Sequence, residues 1–141
     1  MTVVRTLAVL AFMGWFAVAA TPMEFTTVAR GDQSDIDEPR QAVARTAAEW
    51  ATLWKQHAGA DAPPSVDFAR SMVIGVFAGS RPTAGYGVEI TRVEKLDTGI
   101  VVTYHEQRPA PDQIVAQVLT APFHIVRTQR GEGPITFHRT P

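Results

Sequence analysis

One segment of this chain carries a helical hydrophobic period and the long stretch after it a period of two, and that switch limits what the chain can fold into. Ala47, Trp50, Leu53, Trp54 and His57 recur at spacings of three and four, one face of an amphipathic helix. "GADAPP" then ends the helix with a glycine and two prolines. Beyond it, apolar residues either alternate or run on unbroken, as in Ser71–Ala78, "SMVIGVFA", which reads as a buried central strand. The helix is predicted over Ala47–His57, with Thr46 and Glu49 spaced as a capping box at its start.

Strands are predicted at Glu24–Arg30, Arg40–Arg45, Tyr86–Lys95, Ile100–Glu106, Ile114–Thr120, Phe123–Thr128 and Ile135–Arg139. Within Tyr86–Lys95 the apolar parity switches between Ile90 and Val93, which predicts a bulge near Arg92. One helix near the N-terminus followed by strands joined mostly by short turns gives an α+β domain, either a mostly antiparallel β-sheet or a small β-sandwich.

With 141 residues, 45% of them hydrophobic, the chain can bury one core and not two. Residues 1–20 read as a signal peptide: Arg5 is their only charge, Leu7–Ala20 is uncharged, and small residues "AVAA" close the segment. Residues 21–141 then form a single domain, exported to the periplasm or secreted, with no stable membrane insertion after cleavage. There is no cysteine, so the fold stands without disulfides and thiol catalysis is excluded. Without Arg5, 12 basic side chains face 14 acidic ones, a net charge of −2 with no basic stripe. That balance argues against nucleic acid as a partner.

Catalytic constellations are missing from the sequence. His105 and Glu106 are adjacent, so on a strand they point to opposite faces. His57, in the last helical turn, reads as a cation beside the exposed carbonyls. His124 and His138 could meet across strands but lack a nearby carboxylate to complete a zinc site. No serine sits in a Gly-x-Ser-x-Gly turn, and "GVFAGSRPTAGYG" lacks the spacing of a phosphate loop. The sequence therefore predicts no enzyme, no metal and no cofactor. Trp50 and Trp54 are read as core, with a carbohydrate- or envelope-binding platform as the alternative if both prove exposed.

The remaining feature is Gly79–Gly87, "GSRPTAGYG", longer than a simple hairpin turn requires. Arg81 offers a forked hydrogen-bond donor, Pro82 fixes φ, Gly85 and Gly87 permit positive φ, and Tyr86 pairs an apolar ring with a polar tip. "TAPFHIV" likewise combines proline with an aromatic residue. Arg81, Pro82, Thr83, Gly85 and Tyr86, with Pro122, Phe123 and His124, are the candidate binding residues, expected at or near a contact surface for another protein.

These residues resemble the PrcB C-terminal domain family. The resemblance rests on Asp67-Phe68, on Gly79, Arg81, Pro82, Thr83, Gly85 and Tyr86, and on Pro122, Phe123 and His124. Upstream, Ala48, Glu49, Trp50, Leu53 and Trp54 match a helix found in similar proteins. The resemblance implies an exported, non-enzymatic protein that accompanies or stabilises a protease complex. Ala84 departs from the pattern, standing where the family has the first of two glycines. The family's envelope lipoprotein also needs a cysteine, which this chain lacks. "RPTAGY" is further similar to a loop of chagasin-type inhibitors of cysteine proteases, which implies direct protease inhibition as the alternative function.

Overall fold

A computed structural model describes residues 19–59 and 61–141. The expected signal peptide thus lies outside the described residues except for Ala19 and Ala20. Among the described residues no helix is long and apolar enough to cross a membrane.

The chain builds two four-stranded sheets and one helix. In order, β1 is Thr21–Pro22, β2 Phe25–Gly31, β3 Arg40–Ala44, α1 Ala47–Ala58, β4 Ser71–Phe77, β5 Gly87–Leu96, β6 Gly99–Gln107, β7 Phe123–Gln129 and β8 Ile135–Thr140. One sheet has the order β1-β5-β6-β8, the other β2-β7-β4-β3. All pairings are antiparallel except β6 with β8. This is a small α+β sandwich.

The unbroken apolar run of β4 follows from its place in the middle layer. Met72, Ile74 and Val76 face the other sheet, packing with Val88, Ile90, Val93, Ile100, Val102 and Val126. Val73 and Phe77 face the helix, packing with Trp50, Leu53, Phe123 and Ile125. A strand covered on both faces has no solvent side on which a polar residue would be favoured.

The helix begins where its sequence predicts. The Glu49 N–H donates to Thr46 Oγ1 at 3.1 Å, and the same hydroxyl donates to Glu49 Oε1 at 3.1 Å. The bulge on β5 also falls as expected, with the register shifting between Ile90 and Arg92.

Two expectations are corrected. Ile114–Thr120 is not a strand: apart from a single bridge between Thr120 and Arg81 it has no ladder, and Ile114 is 99% exposed. Apolar, β-branched residues form a strand only beside a partner edge, and both edges of β7 are taken by β2 and β4.

His57 is not a solvent-facing charge at the helix end. Its ring is buried, 4.2 Å from Phe123 and 5.1 Å from Trp54 between centroids, with Nδ1 2.8 Å from Ser34 Oγ. The helix end is instead closed by the Gly59 N–H donating to the Lys55 carbonyl at 2.9 Å.

Candidate functional site

The length of "GSRPTAGYG" has a topological cause. β4 and β5 belong to different sheets, so residues 78–86 carry the chain across the sandwich. Gly79 (φ 79°) and Gly85 (φ 93°) make the two sharp changes of direction, whereas Gly87 begins β5 without positive φ. Ala84 also avoids positive φ, so an alanine there introduces no left-handed strain.

The crossing loop is pinned to both sheets. Arg81 exchanges backbone hydrogen bonds with Thr120, at 2.7 and 3.0 Å, just before β7. Its guanidinium turns the other way, to the end of β6, donating from Nε (2.8 Å) and Nη2 (2.6 Å) to Glu106 Oε1. Glu106 Oε2 lies 3.3 Å from Arg139 Nη1 of β8. The Glu106 side chain is only 5% exposed and that of Arg81 21%. The Arg139 side chain is 48% exposed, so the enclosed part of the group is Glu106 with Arg81, and Glu106 cannot turn to water without leaving the Arg81 guanidinium unpaired. The Tyr86 ring lies over the Arg81 guanidinium, 5.9 Å from Cζ to ring centre.

A second segment backs the loop. Arg108–Leu119 leaves β6, and its last residues run antiparallel to the loop, with the Ala84 N–H donating to the Ala116 carbonyl at 3.0 Å and Thr120 Oγ1 to the Thr83 carbonyl at 2.9 Å. A Cβ on Gly85 would come within 2.9 Å of Pro109 Cβ and 3.1 Å of Val115 Cγ1. Gly85→Ala is therefore expected to destabilise the domain by about 1–3 kcal/mol through positive φ and lost loop packing. Urea unfolding checks this, and a variant as stable as the parent would contradict it.

The eight sequence-predicted residues divide. Arg81, Pro82, Thr83, Gly85 and Tyr86 come together on the crossing loop, with Pro82 and Gly85 exposed and the other three half-buried. Pro122, Phe123 and His124, expected at or near the same surface, are buried. Pro122 accepts the Ala78 N–H at 2.9 Å, Phe123 packs under the helix, and His124 faces the opposite sheet. Trp50 is buried too, its Nε1 donating to the Pro64 carbonyl at 2.9 Å, so Trp50 and Trp54 offer no exposed aromatic platform.

His124 joins the two layers. Its Nδ1 accepts the Ile90 N–H at 2.8 Å, which leaves Nε2 to carry the proton and donate to Thr27 Oγ1 at 2.8 Å. Burial lowers its pKa, Arg30 lowers it further, and Glu89 opposes both. Burial likewise lowers the pKa of His57 against the opposing charge of Asp35. Each ring binds protons less readily folded than unfolded, so stability is complete above the ordinary value of 6.5 and declines as pH falls below it. The unfolding temperature is expected to drop by several degrees from pH 7 to pH 5, and less in His124→Gln. Equal slopes in both proteins would contradict this role for His124.

Glu106, Arg139 and Thr120 were missed as parts of the site. Glu106 continues the parity of Ile100, Val102 and Tyr104, and Arg139 that of Ile135 and Phe137. Opposite charges in phase with the inward faces of two strands were the available signal. Among the described residues no three His, Asp or Glu side chains gather as a metal site.

No curated protein and no solved structure matches the chain significantly. A family match does exist, and it spans β4 to β7, which is less than half of the chain but includes the crossing loop, Glu106 and the backing segment. Over residues 72–129 the chain matches the PrcB C-terminal family, the family its loop and Pro-Phe-His segment resemble.

Proposed function

We propose that this is a non-enzymatic, exported domain that binds a protease and accompanies or stabilises it, using the exposed side of the Arg81–Tyr86 loop. The construction of that loop supports this role. The enclosed Glu106 carboxylate holds the loop through Arg81 from one side, a backing segment from the other, and Pro82 and Gly85 face solvent. A loop already fixed before binding loses little conformational freedom on association, which favours a recognition surface. The family match supplies the kind of partner.

Direct inhibition by an inserted loop is less well supported, because residues 81–84 lie along a neighbouring segment instead of projecting from the fold.

Capture from the native envelope with the tagged chain tests the reading. A protease is expected among the retained proteins, and its half-life should lengthen, with its turnover unchanged, when the purified domain is added. Capture without any protease would overturn the reading, and tight inhibition would replace it with the inhibitor.

A further inference from the structure

The segment that backs the loop has a second, open edge. Its inner edge bonds to the loop through Ala116 and Thr120. Among the described residues, however, no backbone N–H from Ile114 to Leu119 donates to a protein group. The same stretch exposes Ile114 (99%), Leu119 (75%) and Val118 (52%). From Gln113 to Thr120 there is neither a charge nor a proline. Exposed strand edges are ordinarily guarded by charged residues or proline, because unpaired backbone groups beside apolar side chains recruit other chains. Here Pro109 and Pro111 guard only the start.

We propose that Ile114–Leu119 receives an extended, uncharged strand of the protein partner by β-strand addition; this rests on the reading that the domain binds a protein. With Ala116 and Thr120 turned to the loop, the alternate N–H groups of Val115, Gln117 and Leu119 are the ones left to the open edge, and unpaired N–H groups at every second residue beside apolar side chains fit an extended peptide better than a folded face. A second copy of this chain fits less well. Three exposed side chains supply on the order of 300 Å² of apolar surface, well below the roughly 800 Å² per partner of a stable complex. The incoming strand would complete the pairing that Ile114–Thr120 lacks within its own fold.

The test uses the full chain, ¹⁵N-labelled, titrated with an uncharged hexapeptide of alternating threonine and valine. Saturable shifts are expected at the amides of 114–119. Binding should weaken at least about tenfold in Ile114→Asp/Leu119→Asp, and equally when alternate peptide amides are N-methylated. No shift at 114–119, or undiminished binding of the N-methylated peptide, would overturn strand addition. A dimer seen by sedimentation and abolished by the double substitution would assign the edge to a second copy instead, and would also overturn it. No protease enters this experiment, so its failure is distinguishable from failure of the capture that tests the loop.

Discussion

Glu106→Ala is expected to cost about 3 kcal/mol of stability and to loosen the crossing loop, because the carboxylate is the one negative charge between Arg81 and Arg139. Removing it leaves the Arg81 guanidinium, mostly enclosed, without the oxygen that accepts both of its N–H groups at 2.8 and 2.6 Å. Breaking a buried pair on one side typically costs 3–5 kcal/mol, and the partial exposure of Arg81 places this case near the lower bound. Glu106→Gln keeps an acceptor without the charge and should cost about half as much. Urea unfolding measures both, and amide exchange at residues 81–86 gives the local readout. If Glu106→Ala leaves stability and loop exchange unchanged, the ion group does not hold the loop.

Phe77→Ala is expected to be at least as damaging, at about 3–5 kcal/mol, enough to bring a domain of ordinary stability close to unfolding. Phe77 is 1% exposed at the end of the central strand. Its ring stacks on Phe123 at 6.5 Å, lies 5.8 Å from His57, and takes the Arg40 guanidinium over its face at 5.8 Å. Gly75 makes room for it, since a Cβ there would meet the ring at 2.9 Å. Cutting the ring away removes the surface on which the helix, β7 and β3 converge. Phe77→Leu keeps most of the volume and should cost below about 1.5 kcal/mol. A loss under 1 kcal/mol for the alanine variant would show that this layer repacks freely.

The difference between what the sequence disclosed and what it concealed follows from the range of the interactions involved. The helix start at Thr46 and the bulge near Arg92 are set by neighbours in the chain, and both were readable. Whether Ile114–Thr120 forms a strand depends on a partner edge elsewhere, which local composition does not encode. His57 was readable in part. Its spacing places it on the apolar face with Trp50 and Leu53, and burial there outweighs the attraction of a helix C-terminus for charge. Pro122, Phe123 and His124 lie within the matched stretch, and they support the fold: a buried proline with no N–H to satisfy, a ring under the helix, and a histidine bridging the sheets. The crossing loop stood out by composition, but its Glu106 anchor lies 25 residues beyond Arg81 and becomes visible only once β6 is placed.

The proposed contact surface is the exposed side of the Arg81–Tyr86 loop. Pro82→Glu tests it most directly, because Pro82 is exposed and lies outside the Arg81–Glu106 ion group. The measurement is the amount of protease retained by wild type and by this variant at matched unfolding midpoints. At least a tenfold loss of retained protease is expected, about 1.4 kcal/mol of binding, with the fold intact. Undiminished retention by a folded Pro82→Glu protein would contradict it.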